Sequence, residues 1–324
     1  MSIVVTGAAG FIGARLVEHF QGEELISVDF ENPETRNPQH QGLAFGKWMQ
    51  PQAFIAAWQA GKVKPSAVFH MGACSSTTET RWDYLLEVNV HSSQALWNLA
   101  ARDQIPFLYA SSAATYGAGE LGYDDAPDLL PQLKPLNLYG RSKFEFDLWA
   151  LEQVQKGNTP AHWGGFKFFN VYGYGERHKG PQSSVVSKAF DEIHRSGHLA
   201  LFRSARPDIA DGHQSRDFVY VEDLCSALET FWKARPASGI YNLGSGKART
   251  FLDLAHAAFH ALGKEPQIEW IETPANIAQA YQYFTEAKMD RLQHAFKAIE
   301  QTLPLTSLEE GVEKTFRRLS KDQR

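Results

Sequence analysis

The sequence predicts an α/β fold, a doubly wound parallel sheet of the Rossmann type with a smaller C-terminal domain interleaved with it. Short apolar strands alternate with helical patterns through the first half of the chain, which is typical of βαβ units. The chain also opens with a β-branched run, Ile3–Val5, that leads directly into a glycine-rich turn. Because βαβ crossovers are right-handed, repeated units place helices on both faces of such a sheet.

Strands are predicted where apolar runs are short enough to be buried on both faces. In chain order these strands are Ile3–Val5, Leu25–Val28, Ala67–His70, Phe107–Ala110 and Phe166–Phe169, with Arg216–Val221 and Gly239–Leu243 returning to the sheet or its edge. Helical periodicity runs from Phe11 to Phe20 and again from Tyr84 to Ala101, and another helix begins near Leu136. Two polar stretches with several prolines, 31–41 and 124–135, are predicted to be surface loops.

The first turn contains three evenly spaced glycines, Gly7, Gly10 and Gly13. Between a strand and a helix, glycines allow a tight turn, close approach of backbone amides to a pyrophosphate, and close packing of the helix on the strand. The helix that begins near Phe11 and Ile12 directs its N-terminal donors toward an anion. We therefore predict that this turn binds the diphosphate of a nicotinamide dinucleotide.

The choice between NAD and NADP stays open at this point. Asp29 ends the second strand, where a carboxylate accepts a hydrogen bond from a ribose hydroxyl and favours NAD. Arg36 follows in the next loop and could instead pair with the 2′-phosphate of NADP. Arg15 and Lys47 are further candidate contacts for the cofactor.

A phenol and an ammonium lie one helical turn apart at Tyr139 and Lys143. A neighbouring cation, together with a positive nicotinamide ring, favours the phenolate and lowers the pKa of tyrosine, so that Tyr139 can act as a general base. Ser112 follows a predicted strand and is expected at the carboxyl end of the sheet, where ligands bind in open α/β folds. Its hydroxyl could hydrogen-bond both the reacting alcohol and Tyr139.

The regular alternation of strands and helices ends at Asn170. We therefore predict a dinucleotide-binding domain over residues 1–170, with residues 216–245 returning to it. Residues 171–324 are predicted to form a substrate-binding domain, because repeated glycine and proline residues break the earlier pattern there.

The composition argues against a nucleic-acid-binding, membrane-spanning or disulfide-rich protein. The chain has 324 residues, 43% of them hydrophobic, which is enough for a large core. Its formal net charge of −5 gives no reason to expect a nucleic-acid partner, and no apolar run is long enough for a membrane span. The only two cysteines, Cys74 and Cys225, are predicted to be reduced thiols, and no secretory signal is recognised. These features predict a cytoplasmic enzyme.

Taken together, the glycine turn, Ser112, Tyr139 and Lys143 resemble the extended short-chain dehydrogenase/reductase superfamily, whose members mostly modify nucleotide sugars. The segments 169–173 and 216–221 are also similar to that superfamily. The resemblance implies that Asn170 and Arg216 hold a nucleotide diphosphate, and a guanidinium fork suits such a group.

A narrower resemblance runs through nearly the whole chain. Segments 72–79, 106–117, 135–140 and 178–180 resemble the ADP-L-glycero-D-manno-heptose 6-epimerase family. That resemblance implies inversion of carbon-6 of an ADP-heptose, a precursor of the lipopolysaccharide core. Carbon-6 is oxidised to a ketone with NADP⁺ and reduced again on the opposite face. The resemblance also implies a homo-oligomer, and Arg36 replaces the lysine that commonly meets the 2′-phosphate, so NAD is not excluded.

Inversion requires a proton to leave one face and return to the other, and a single fixed acid/base group serves both faces poorly. The resemblance assigns the second role to Lys179, beside Tyr139 as the first. Desolvation and the nearby Lys143 are expected to lower the pKa of Lys179. His178 is a third candidate, more suited to orienting substrate.

The same resemblance implies further contacts. Ser76 to Glu79 would border the sugar, Tyr281 would contact ADP-heptose, and Asn89 would support the cofactor site.

The sequence is less consistent with three alternative functions and with a metal site. A 4-epimerase for UDP- or GDP-sugars needs only Tyr139, because its sugar turns between faces. A 4,6-dehydratase needs an acid near the serine loop, where Ala113 and Ala114 stand, and a cofactor-sensing regulator would lack the tyrosine. No metal is expected, since His256 and His260 have ligand spacing without a third ligand nearby.

Overall fold

The computed structural model describes residues 2–273 and 282–323. Its strands in chain order are β1 (Ser2–Thr6), β2 (Leu25–Val28), β3 (Lys47–Met49), β4 (Pro65–His70), β5 (Phe107–Ser112), β6 (Trp163–Phe168), β7 (Asn170–Tyr172), β8 (Leu199–Phe202), β9 (Ser215–Tyr220), β10 (Gly239–Leu243), β11 (Ala248–Thr250) and β12 (Ile268–Ile271). Its helices are α1 (Phe11–His19), α2 (Pro33–Arg36), α3 (Pro51–Gln59), α4 (Trp82–Leu85), α5 (Ser92–Asp103), α6 (Leu138–Gln155), α7 (Val185–Ser196), α8 (Val221–Ala234), α9 (Phe251–Ala261), α10 (Asp290–Lys297) and α11 (Leu308–Leu319). Within these residues, none of the helices combines the length and apolar character that crossing a membrane requires.

The main sheet confirms the predicted fold class. Its seven parallel strands have the order β10-β6-β5-β4-β1-β2-β3. The chain builds outward from β1 in one direction and then crosses to β4 on the other side. This reversal opens a crevice beyond the carboxyl ends of β1 and β4, where ligands bind in folds of this kind.

A second hydrophobic cluster lies outside the main sheet. It is formed largely by side chains of α7, α9 and α11, which pack around two small sheets with the orders β11-β9-β7 and β12-β8. The strand β9 therefore does not return to the main sheet, whereas β10 forms the edge of that sheet beside β6. The reason is local, because the short strand β7 directly after β6 offers β9 a parallel partner, with Asn170 opposite Phe218. The domain boundary at residue 170 stays a prediction.

The stretch 31–41 was expected to be a loop, but it contains two short helical turns, α2 and a 3₁₀ turn at Pro38–His40. Each turn begins with an asparagine cap followed by a proline. The side chain of Asn32 accepts a hydrogen bond from the amide of Glu34, and that of Asn37 accepts one from the amide of Gln39. Proline at the first helical position has a suitable φ angle and lacks an amide that would need a partner.

The stretch 124–135 is irregular, apart from a 3₁₀ turn at Leu130–Gln132, but it is not simply a surface loop. Asp125 and Leu130 are buried. The carboxylate of Asp125 accepts a hydrogen bond from the amide of Asn242 at 2.7 Å, which anchors the stretch to β10. A buried polar anchor of this kind depends on a long-range contact that the local pattern does not encode.

A buried ion pair lies beneath the carboxyl end of β5. The ammonium of Lys167 on β6 is 2.6 Å from the carboxylate of Asp147 on α6, and both side chains are almost fully buried. Asp147 also accepts hydrogen bonds from Tyr109 and Ser111 on β5. Lys167 donates to the hydroxyl of Thr115, in the turn after β5. Buried charges are tolerated when they are paired and hydrogen-bonded in this way.

Replacing Lys167 with methionine would leave Asp147 buried without its cation. Breaking one side of a buried pair costs about 3–5 kcal/mol, so we expect a marked fall in the urea concentration at the unfolding midpoint. The matched control is Lys156→Met, because Lys156 pairs with Glu152 at the same 2.6 Å on the exposed face of α6. Equal small shifts for the two variants would contradict the role given to the buried pair.

Candidate active site

The glycine turn after β1 is shaped by close approaches of the backbone. Gly7 has a φ angle of 67°, and a Cβ atom there would lie 2.7 Å from the Cα atom of Gly72, in the turn after β4. A Cβ atom on Gly13 would lie 2.0 Å from the carbonyl oxygen of Gly7. Gly10 caps α1 without any side-chain hydrogen bond. The amides around Phe11 and Ile12 thus begin a helix with no side-chain cap, in a cradle that fits a diphosphate.

Asp29 and Arg36 lie beside this turn. The carboxylate of Asp29 accepts a hydrogen bond from the amide of Ala9 at 2.9 Å. Burial raises the pKa of Asp29, while that hydrogen bond and the positive charge of Arg36 act in the opposite direction. Arg36 itself pairs with Glu31 at 3.0 Å and keeps part of its side chain exposed. A carboxylate and a guanidinium therefore meet at the position expected for an adenosine ribose.

Two of the candidate cofactor contacts, Lys47 and Arg15, have other surroundings in the structure. Lys47 pairs in register with Ile26, and it lines an opening with Ser2 at the amino ends of the strands, away from Asp29. The side chain of Arg15 is buried against the ring of Tyr174. Sequence spacing does not reveal either outcome, because the register of β3 and the packing of α1 are tertiary features.

The structure brings Ser112, Tyr139 and Lys143 together. Ser112 is the last residue of β5, and Tyr139 lies in the first turn of α6, with a hydrogen bond to Ser112. Asn137 caps α6 by accepting a hydrogen bond from the amide of Gly140 at 2.7 Å. A Cβ atom on Gly140 would lie 2.6 Å from the carbonyl oxygen of Ala114, so this glycine lets the helix approach the serine turn. The ammonium of Lys143 donates to the carbonyl of Ala110 at 2.8 Å.

Burial dominates the acid–base properties of this group. Burial raises the pKa of Tyr139, and the hydrogen bond with Ser112 offsets this effect only in part. In the protein alone, burial thus outweighs any lowering of the tyrosine pKa by Lys143, whose ammonium is directed at a β5 carbonyl. Burial lowers the pKa of Lys143 to about 8, against an opposing effect of the Asp147 carboxylate.

Asn89 supports the site from behind. It lies in a π-helical segment, Leu86–His91, that joins α4 to α5. Its side-chain amide binds both backbone groups of Cys74 and donates to the hydroxyl of Ser142 at 2.9 Å. Cys74 is close enough to Tyr139 and Lys143 to influence their pKa values. Asn89 thus fixes the turn after β4 to α6, and π-helical segments are frequent at such sites.

Lys179 approaches the glycine turn from another part of the chain. Its ammonium lies 5.2 Å from the centre of the Phe11 ring and 3.0 Å from the carboxylate of Glu176. Glu176 is buried and also accepts hydrogen bonds from the amide and hydroxyl of Ser184. The nearest charged partner of Lys179 is thus a carboxylate rather than Lys143, which corrects the expected surroundings.

The imidazole of His178 is hydrogen-bonded to another side chain of the protein. Its Nδ1 atom lies 3.0 Å from the side-chain amide nitrogen of Asn37. Burial is the first cause that lowers the pKa of His178 to about 4, and the positive charge of Arg36 adds to it. His178 is therefore neutral at neutral pH, and it accepts a hydrogen bond from Asn37.

The remaining substrate candidates lie on several loops and strands. Ser76 accepts a hydrogen bond from Gln182 at 3.1 Å, which joins the turn after β4 to the segment with Lys179. The carboxylate of Glu79 forms an ion pair with the guanidinium of Arg81. The hydrogen bonds from Arg81 lower the pKa of Glu79 to about 2. Asn170 and Arg216 lie on the adjacent strands β7 and β9, with Asn170 exposed and Arg216 buried. Tyr281 lies outside the described residues.

Sequence reasoning missed several groups, namely Asn37, Gly72, Asp147, Lys167 and Glu176. Most of their roles come from long-range contacts, whereas Glu176 binds Lys179 and Ser184 nearby in the chain. Gly72 had a local signal, a glycine directly after the strand β4. Over residues 2–273 and 282–323, the structure has no group of three or more histidine, cysteine or acidic side chains that could hold a metal ion.

Comparison with known proteins places the chain in a family. A model of the NAD dependent epimerase/dehydratase family matches residues 3–244. The chain belongs to this family. Membership makes the protein an enzyme and supports a nicotinamide cofactor, and it agrees with the cradle at the glycine turn.

Individual relatives within this family share one named activity. The ADP-L-glycero-D-manno-heptose-6-epimerase of Fusobacterium nucleatum is 41% identical, over 96% of this chain and 95% of that protein. The enzyme of the same name from Nitratidesulfovibrio vulgaris is 40% identical, over 95% of each chain. The crystal structure of the Helicobacter pylori enzyme of that name is 25% identical, with a TM-score of 0.77 over 98% of this chain and 96% of that one. The narrower resemblance of the sequence is thus confirmed.

The lowered pKa of Lys143 predicts a pH dependence of stability. The folded protein disfavours the ammonium, so the unfolded chain binds more protons at this site between pH 8 and 10.5. Wild-type protein should therefore gain stability relative to Lys143→Met as the pH rises through this window, by up to about 3 kcal/mol. Urea unfolding of both proteins at the two ends of the window measures the effect. A stability difference that does not change with pH would show that burial of Lys143 has no such cost.

Proposed function

We propose that this protein inverts carbon-6 of the heptose in ADP-D-glycero-D-manno-heptose. The near full-length relatives with that named activity support the choice of substrate. The observation that carries the proposal is the position of Lys179, whose ammonium lies over Phe11 at the glycine turn. The protein thus has a second proton-carrying group, on a different segment from Tyr139, as epimerisation at a fixed carbon requires.

A bound nicotinamide supplies the acceptance and return of a hydride at carbon-6. The residues of the protein move the protons. Tyr139, hydrogen-bonded to Ser112, exchanges the proton of the 6-hydroxyl on one face of the substrate. Lys179, paired with Glu176, exchanges a proton on the opposite face. Lys143 holds β5 and α6 together through the carbonyl of Ala110 and adds positive charge near the phenol.

We propose NADP as the cofactor. Arg36 lies close enough to Asp29 to act on its pKa, and a guanidinium is well suited to a phosphate on the adjacent ribose hydroxyl. The carboxylate of Asp29 accepts a hydrogen bond from the amide of Ala9, and Arg36 is the cation beside it that would bind a 2′-phosphate.

For the substrate, we propose that Asn170 and Arg216 contact the diphosphate, and that Ser76 and Glu79 border the heptose. These roles rest on the resemblance and on the placement of these residues around the segment with Lys179. The homo-oligomeric state and the cytoplasmic location stay predictions from the sequence.

The proposed function predicts conversion of ADP-D-glycero-D-manno-heptose into its carbon-6 epimer by the purified protein. UDP-glucose, incubated in parallel as the substrate of a 4-epimerase, should remain unchanged, because the near full-length relatives are named for ADP-heptose. Proton NMR of the sugar follows both reactions over time. Conversion of UDP-glucose alone would replace the proposal with a 4-epimerase.

Replacing Lys179 with alanine should lower kcat by about 10²–10⁴-fold, the usual contribution of a general acid or base. Tyr139→Phe should lower it to a similar extent, because inversion needs both groups. Lys156→Ala, on the exposed side of α6, is the control and should keep normal turnover. Full activity in Lys179→Ala would rule out the two-group mechanism.

A further inference from the structure

The segment that carries Arg36 is hydrogen-bonded to the segment that carries Lys179. We call residues 33–40 the arginine loop and residues 174–179 the lysine loop. The side-chain amide of Asn37 donates to the carbonyl of Gly175 at 3.2 Å and lies 3.0 Å from Nδ1 of His178. The side-chain carbonyl of Gln39 accepts a hydrogen bond from the amide of Arg177 at 3.1 Å.

Asp322, which follows α11, is hydrogen-bonded to both of these loops. One carboxylate oxygen of Asp322 accepts a hydrogen bond from the hydroxyl of Tyr174 at 2.8 Å. The other accepts one from the side-chain amide of Gln39 at 3.0 Å. Asp322 therefore joins the lysine loop and the arginine loop through a single carboxylate.

These contacts are difficult to break separately because they are buried. Asn37 is 1% exposed and Gln39 is 6% exposed. Both polar ends of the Asn37 side chain are used, since its carbonyl also caps the turn at Gln39. A buried donor or acceptor that loses its partner carries a large desolvation penalty. Movement of one loop without the other would leave several such groups unsatisfied.

Each loop also carries a group of the proposed mechanism. Arg36 directly precedes Asn37, and Lys179 directly follows His178. The positive charge of Arg36 acts on both Asp29 and His178, so it lies near both the proposed ribose site and the lysine loop. An anion bound by Arg36 would fix the arginine loop, and the hydrogen bonds of Asn37 would pass that constraint to Gly175 and His178.

We infer that Asn37 is a positioning residue that couples recognition of the cofactor 2′-phosphate at Arg36 to the placement of Lys179. This inference rests on the proposed function, because it takes Arg36 as the phosphate contact and Lys179 as an acid/base group. The 2′-phosphate then does more than select a cofactor. It stabilises the position of Lys179 relative to the glycine turn.

The test is a double-mutant cycle on the NADP⁺-loaded protein, using Arg36→Ala and Asn37→Ser. Serine at position 37 keeps a cap for the turn but lacks the donor that reaches Gly175 and His178. The readout is the acylation rate of Lys179 by an amine-directed reagent, measured by mass spectrometry against the exposed Lys156 in the same sample. It needs no sugar substrate and no turnover.

We expect each single variant to change the acylation rate of Lys179 by about fivefold, the lower end of the range for coupled sites. The double variant should change it no more than either single variant, because both remove the same link. Asp322→Ala offers a second route, since it loosens both loops from an exposed position and should shift the rate in the same direction. In epimerisation assays, Asn37→Ser should lower kcat and leave the KM for the nucleotide sugar nearly unchanged.

Two results would overturn the inference. One is an unchanged acylation rate of Lys179 in both Asn37→Ser and Asp322→Ala. The other is a double variant whose effect equals the product of the single effects, which would show that the loops act independently. A protein that shows the coupling but fails to epimerise ADP-heptose would refute the proposed function while leaving the coupling in place.

Discussion

The backbone of the turn after β1 passes so close to the turn after β4 that Gly7 has no room for a side chain. A Cβ atom on Gly7 would meet the backbone of Gly72, and one on Gly13 would meet the carbonyl of Gly7. This constraint fixes the start of α1 at the point where the strand order reverses. The other parts of the candidate site are arranged around it, because Asp29 binds the amide of Ala9 and Lys179 lies over the ring of Phe11.

On the side of the crevice formed by β5 and α6, burial changes the pKa values of Tyr139 and Lys143 more than neighbouring charges do. Desolvation raises the pKa of Tyr139 and lowers that of Lys143, so both groups shift toward their neutral forms. The pair of Asp147 and Lys167 lies directly behind them and holds β5, β6 and α6 in one hydrogen-bonded unit. The site therefore has rigid support, and the approach of a positive nicotinamide would favour the phenolate in a way that the protein alone does not.

The two proposed acid/base groups belong to different parts of the structure. Tyr139 is on a helix that packs against the main sheet, whereas Lys179 is on a segment that follows β7 and precedes α7. Such a site needs contacts that fix the position of the segment with Lys179 relative to the helix with Tyr139. Gln182 with Ser76 provides one of them, and the contacts of Asn37, Gln39 and Asp322 provide others.

The sequence by itself determined the features that depend on local periodicity and spacing. These are the fold class, most strands of the main sheet, the glycine turn, the placement of Ser112 at the carboxyl end of β5, and the helical pair Tyr139 and Lys143. The family was recognisable for the same reason, because its motifs are short and contiguous. Only the tertiary structure decided the register of β3, which pairs Lys47 with Ile26, and the pairing of β9 with β7. It also decided the approach of Lys179 to Phe11 and the partners of Asn37 and Asp147, because contacts between residues far apart in the chain leave no periodic trace in the sequence.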